Sequence, residues 1–165
     1  MKVIFLDVDG VLNSEEDLRV RIENGTHKGL IYAEVEDRPL ALLKKLVDKS
    51  GAKIVVSSSW RIGCERSGRE SIFGAGLYNK LVKRLADYDL EPFDITPSLS
   101  NKQRGDEIRE WMQNCNEDIE SFVILDDDND MLDKQLEHFV QTDAYKRGLS
   151  LENVEQAIKI LNKVC

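Results

Sequence analysis

Two acidic clusters stand out in the chain. Asp7-Val8-Asp9-Gly10 follows the apolar run Lys2–Leu6, and Asp126-Asp127-Asp128 follows another at 121–125. An aspartate after a strand ordinarily just opens a turn. Two acidic pairs, each behind a buried strand, call for more. Carboxylates gathered in a partly desolvated place repel one another unless a positive charge joins them. Asp7, Asp9, Asp126 and Asp127 offer oxygen ligands alone, with no His or Cys beside them. That donor set points to a hard divalent cation, Mg²⁺. A third polar cluster, Ser57-Ser58-Ser59, closes the apolar run at 52–56.

Strands must carry these clusters. Lys2–Leu6, 52–56, Pro92–Ile95 and 121–125 are short apolar or β-rich runs, and 138–141 reads as a fifth. Between them, 39–50, 78–88, 102–115 and the segment after Ser150 carry apolar residues at helical spacing. Gly51 is a C-terminal stop, and Ser150 is an N-cap without the full reciprocal box, since Asn153 replaces Glu. The stretch 13–38 reads as a hairpin or small flap, because Val20 and Ile22 face Leu30, Ile31 and Tyr32 across Asn24-Gly25. The stretch 61–75 is polar and reads as a loop with a short helical turn. Strands alternating with helices imply an α/β fold, a three-layer parallel sheet with ligands at the carboxyl ends of the strands. All three polar clusters fall at such ends.

Composition narrows the classes. The 165 residues carry 23 Lys and Arg against 31 Asp and Glu, a net charge of −8, with 41% hydrophobic residues. This suits one folded domain over 1–165 and argues against disorder and against a broad nucleic-acid or anionic-membrane surface. Cys64, Cys115 and Cys165 form no CxxC or zinc spacing, so a reducing cytoplasm is the expected setting. The amino-terminal apolar run is too short, with Asp7 and Asp9 behind it, for a signal peptide or membrane span.

At these clusters the chain resembles the haloacid dehalogenase-like (HAD) superfamily of hydrolases. Four stretches carry the resemblance, in family order: Asp7-Val8-Asp9-Gly10-Val11-Leu12, Ile54-Val55-Val56-Ser57-Ser58, Lys102-Gln103-Arg104-Gly105, and Val123-Ile124-Leu125-Asp126-Asp127. More narrowly, DVDGVLN, SSSWR, RGDEIREW and ILDDD look like the HAD domain of Swiss Army Knife RNA repair proteins. The resemblance implies a Mg²⁺-dependent phosphatase with Asp7 as nucleophile, forming an aspartyl-phosphate. Asp9 would protonate the leaving oxygen and then activate water. Asp7, Asp126, Asp127 and the carbonyl of Asp9 would hold the metal. Ser57 or Ser58, with backbone N–H groups of the turn including that of Gly10, would bind a phosphate oxygen; Ser57 is favoured because it ends the apolar run. Arg104 or Lys102 would neutralise the phosphoryl group, and the Gly after Arg104 favours Arg104.

Several side chains keep two readings. Asp130 is a metal ligand or a helix-start acid, and Asp128 a solvated acid or N-cap. Trp60 stacks on a substrate base or fills core, and Arg61 meets a distal phosphate or pairs with an acid. Lys80, Lys83 and Arg84 with Arg61, Arg66 and Arg69 are a basic mouth or a solvated helix face. His27 and His138 read as structural. Val11 stands where many relatives have Thr, losing a hydroxyl and no charge. No large cap domain fits the chain. An open site suits a nucleotide or nucleic-acid terminal phosphate, with a phosphorylated small molecule as the other substrate class; no protein partner is implied. Two other functions share the chemistry: a phosphotransferase through the same intermediate, and a receiver-like phosphoacceptor domain.

Overall fold

Alternation along five short strands builds the molecule outward from its sheet. The computed structural model describes residues 1–26, 34–64, 67–68 and 75–163. Its elements run β1 (Lys2–Leu6), α1 (Glu15–Glu23), α2 (Asp37–Ser50), β2 (Lys53–Val56), α3 (Gly76–Ala86), β3 (Pro92–Ile95), α4 (Arg104–Asn114), β4 (Ser121–Asp126), β5 (Phe139–Gln141) and α5 (Leu151–Leu161). The sheet order is β3-β2-β1-β4-β5, and every pairing is parallel. Side chains of odd and even position on β1 go to opposite faces. Val3 and Phe5 pack with Val55, Ile124 and the α4 residues Ile108 and Trp111. Ile4 and Leu6 pack with Ile54, Val56, Val123 and Leu125 beneath α2, α3 and α5. The result is the three-layer α/β architecture expected from the element order.

The order reverses direction at β1, since β2 lies on one side of it and β4 on the other. At such a switch point the connecting chains leave in opposite directions and open a crevice beyond the strand ends. Leu6 pairs with Val56 and with Leu125, so the residues that follow these three strands emerge level at one edge.

The hairpin expected within 13–38 is corrected in its first half. Residues 15–23 form helix α1, capped by the Ser14 side chain accepting from the Asp17 N–H. Glu15, Glu16 and Asp17 in its first turn complement the positive end of the helix dipole. Asn24-Gly25 therefore ends a helix rather than turning a hairpin; Val20 and Ile22 are exposed on it. Leu30, Ile31, Tyr32 and His27 lie outside the described residues. Among those described, no element forms a large cap.

Smaller differences follow from side-chain chemistry. The Asn153 carboxamide oxygen accepts the Ser150 N–H at 3.0 Å while the Ser150 hydroxyl accepts the Asn153 N–H at 3.1 Å, so an asparagine completes the capping box. His138 ends a 3₁₀ turn, Asp133–His138, instead of starting β5; its ring stacks on Phe122 at 4.0 Å. Cys64 and Cys115 are half-buried, and Cys165 lies outside the described residues. No helix among those described is long and apolar enough to cross a membrane.

The segment between β5 and α5 locks onto the loop after β1. Thr142 Oγ1 donates to the Gly10 carbonyl at 2.8 Å, and Leu149 N donates to the Val11 carbonyl at 2.9 Å. Gly148 has φ +61°, and a Cβ there would lie 2.6 Å from the Val11 carbonyl oxygen. Gly25 has φ +66° but nothing within 4 Å. Gly148→Ala therefore adds a backbone collision to the left-handed strain that Gly25→Ala carries alone. In urea denaturation Gly25→Ala should cost about 1 kcal/mol and Gly148→Ala about 2 kcal/mol or more.

Candidate functional site

Strand register brings the two acidic clusters together. Asp7 N donates to the Leu125 carbonyl at 3.0 Å, so Asp7 leaves β1 alongside Asp126 at the end of β4. Both are buried, at 6% and 2% exposure. Asp7, Asp126 and Asp127 each offer a carboxylate oxygen, and the three oxygens lie within 4.8 Å of one another. Gly10 makes room for this. Its φ is +72°, and a Cβ there would lie 2.4 Å from Asp127 Cγ. Its N–H is donated to Asn13 Oδ1 at 3.0 Å, which corrects the expectation that Gly10 binds a phosphate oxygen.

One guanidinium faces this acidic group. Arg104 Nη2 lies 3.5 Å from Asp7 Oδ1, and its Nε lies 3.4 Å from Asp126 Oδ2. The start of α4 fixes that placement. Asp130 Oδ2 accepts the Arg104 N–H at 3.0 Å, and the Asp130 carbonyl accepts the Gly105 N–H at 3.2 Å. Gly105 allows the contact, since a Cβ would lie 2.6 Å from Leu132 N. Asp130 thus caps the helix that delivers Arg104. Lys102 is exposed before the helix begins, so Arg104 is the cation that reaches the acids.

The hydroxyl cluster divides its work. Ser58 opposes the rise in the proton affinity of Asp7, whereas the Ser57 hydroxyl meets Thr96 Oγ1 at 3.3 Å. Of the two serines, Ser58 is thus the one that acts on Asp7, while Ser57 faces Thr96. The residues after it form a 3₁₀ turn, Ser59–Arg61. Trp60, 2% exposed, donates its indole N–H to Asp9 Oδ2 at 3.0 Å. Asn13 Nδ2 donates to the other oxygen, Asp9 Oδ1, at 2.9 Å. The Asp9 carboxylate is thus engaged apart from the three converging acids, and only its carbonyl remains in the ligand set that the resemblance implied.

Arg61 is corrected as a phosphate ligand. It is 1% exposed, and its guanidinium donates to the carbonyls of Ser58, Thr96 and Pro97 and to Glu107 Oε2 at 2.6 Å. Glu107 also accepts the Leu99 N–H and lies 3.6 Å from Arg104 Nη1. Two members of the basic mouth are paired with acids, while Lys83 is exposed. Lys80 pairs with Glu34 at 2.9 Å, and Arg84 with Asp37 at 2.6 Å and Asp87 at 2.5 Å. Arg66 and Arg69 lie outside those residues. Sequence reasoning missed Asn13, Glu107 and the link from Trp60 to Asp9. The signal for Glu107 was its i,i+3 spacing from Arg104 on a helix.

Charge sets the site's state. Burial pushes the Asp7 carboxyl well above the ordinary range, with Asp126 adding to the rise and Arg104 and Ser58 opposing it. Burial likewise lifts Asp126 to about 7 against the pull of Arg104. Asp127 is raised by burial and then by Asp128 and Asp9. One guanidinium does not balance three such carboxylates. An all-oxygen group this close fits a hard divalent cation, with protons as its competitors.

A sequence model for a family described as HAD domain in Swiss Army Knife RNA repair proteins matches residues 3–154. No curated protein matches the chain.

Two outcomes follow from these contacts. An acid raised on folding keeps protons that the unfolded chain has already lost, so stability falls as pH rises between the two pKa values. For Asp126 that window runs from about 4 to about 7. The melting temperature of the cation-free protein should fall across it; Asp126→Asn should flatten the fall, and saturating Mg²⁺ should reverse it. Separately, Glu107→Ala strands the buried charge of Arg61, and should cost about 3–5 kcal/mol in chemical denaturation.

Proposed function

The chain belongs to the family of HAD domains found in Swiss Army Knife RNA repair proteins, and from that premise we propose that it is a Mg²⁺-dependent phosphomonoester hydrolase working through an aspartyl-phosphate. The observation that carries this reading is the convergence of Asp7, Asp126 and Asp127 within 4.8 Å, beside the Arg104 guanidinium. Those three carboxylates and the Asp9 carbonyl would hold the cation. When bound, it supplies positive charge that lets an anionic phosphate approach an anionic nucleophile.

The chain's own groups carry the steps. An Asp7 carboxylate oxygen forms a bond to phosphorus as the ester P–O bond breaks, and the electron pair goes to the leaving oxygen. Asp9 delivers a proton to that oxygen. Water then attacks phosphorus, Asp9 takes its proton, and the Asp7–phosphorus bond breaks to release inorganic phosphate. Arg104 offsets charge on the phosphoryl oxygens, and Ser58 stands where one of them arrives beside Asp7. A phosphotransferase would differ in the acceptor alone. A receiver-like domain fits less well, because such sheets are ordered 2-1-3-4-5 and this one is β3-β2-β1-β4-β5.

For substrate, we take the terminal phosphate of a nucleotide or polynucleotide. Two things support it: the family's association with RNA repair, and a strand-end crevice with no large cap among the described residues. A phosphate-release assay should compare small phosphoesters, nucleotides, and RNA or DNA bearing 3′- or 5′-phosphates. Release should require Mg²⁺, favour polynucleotide ends, and fall at least ~1,000-fold in Asp7→Asn, as loss of a nucleophile does. Turnover of small metabolites alone would remove the polynucleotide assignment; full activity in Asp7→Asn would remove the mechanism.

A further inference from the structure

The Asp9 carboxylate is held from both sides. Its Oδ1 accepts from Asn13 Nδ2 at 2.9 Å and its Oδ2 from Trp60 Nε1 at 3.0 Å. The two donors come from different parts of the fold. Asn13 lies four residues along the same loop, and its carboxamide also bonds the Gly10 N–H and the Glu34 carbonyl. Trp60 lies 51 residues away, in the turn after β2. That turn is itself fixed: the Ser58 hydroxyl accepts the Trp60 N–H at 3.4 Å, and Arg61 is anchored to three backbone carbonyls and Glu107. An indole nitrogen is a donor with no accepting capacity, so a buried tryptophan aims its ring where an acceptor stands.

Resting on the reading of Asp9 as the group that protonates the leaving oxygen, we infer that Trp60, together with Asn13, is a positioning residue for that proton transfer. Each carboxyl oxygen has two lone-pair directions. Each N–H occupies one and leaves the other free to carry the proton toward the leaving oxygen. Two donors on a rigid frame remove rotation of the carboxyl about its side-chain bonds, and a general acid acts only when its proton lies within hydrogen-bond reach. The turn Ser57-Ser58-Ser59-Trp60-Arg61 thereby serves both catalytic aspartates. Ser58 touches Asp7 and Trp60 touches Asp9, while Arg61 ties the turn through Glu107 to Arg104.

Leaving-group dependence separates this role from packing. Phenyl and p-nitrophenyl phosphate have similar shapes, but nitrophenolate departs readily without a proton and phenolate does not. Trp60→Phe keeps an aromatic ring and deletes the N–H. Phe lacks the five-membered ring as well as its N–H, but the lost volume bears on both esters alike; the variant should lower kcat/KM for phenyl phosphate much more than for p-nitrophenyl phosphate, changing the ratio of the two by about tenfold. Asp9→Asn should change the ratio at least as much, and the double variant no further, because Trp60 acts through Asp9. Loss of folded protein lowers both rates equally and cancels in the ratio. An equal fall for both esters in Trp60→Phe, or a double variant shifted beyond Asp9→Asn, would overturn the inference while leaving the phosphatase reading standing. Wild-type protein that releases phosphate neither from these esters nor from polynucleotide ends with Mg²⁺ would overturn the phosphatase reading and this inference with it.

Discussion

Like charges crowded at the edge of a buried sheet are the constraint around which the rest of this molecule is arranged. Asp7 and Asp126 follow hydrogen-bonded neighbours on adjacent parallel strands, and neither reaches solvent to any extent. In that position a carboxylate loses hydration and gains a repelling partner at once. The fold answers with Arg104, whose helix start is tied down by Asp130 and by the close approach that Gly105 permits. That response is partial: among the described residues, three carboxylates meet the Arg104 guanidinium, and the remainder is left for a cation or for protons.

The supports around the acids are polar and mostly buried. Arg61, Glu107 and Arg104 form a chain of alternating charge linking the turn after β2 to the start of α4. Each member needs the next, since an isolated buried charge is far costlier than a paired one. The same economy of contact appears on the other side of the site, where Thr142 and Leu149 bond the carbonyls of Gly10 and Val11. The loop after β1 is thus gripped from the turn after β2, from α4 and from the segment after β5. A side chain in such a setting has little freedom, which suits groups that must meet a phosphate in one geometry.

Much of the architecture could be read from periodicity. The four acids, the hydroxyl cluster and the basic residue before a glycine each stood behind or before an apolar run of recognisable period, and the strands and helices came out at nearly those places. The exception, α1, shows where pattern fails. Val20 and Ile22 alternate as a strand would, but a serine cap and three acids in the following turn favour a helix, and the apolar pair simply stays exposed. Capping is a local interaction of the backbone ends, invisible to a hydrophobic alternation.

Residue type and order along the chain were enough to put the acids at strand ends, to give the fold a parallel sheet, and to reveal the family resemblance. Choosing between near-equivalent side chains was not within their reach. Ser58 rather than Ser57 at Asp7, Arg104 rather than Lys102, Arg61 as a buried strut, and Trp60 on Asp9 all depend on the direction in which a side chain leaves the backbone and on what stands there. Those directions are set by strand register, by the 3₁₀ turn after β2 and by the start of α4, each fixed by contacts between segments tens of residues apart. A one-dimensional pattern records which groups exist; only the packed chain brings their atoms within bonding distance.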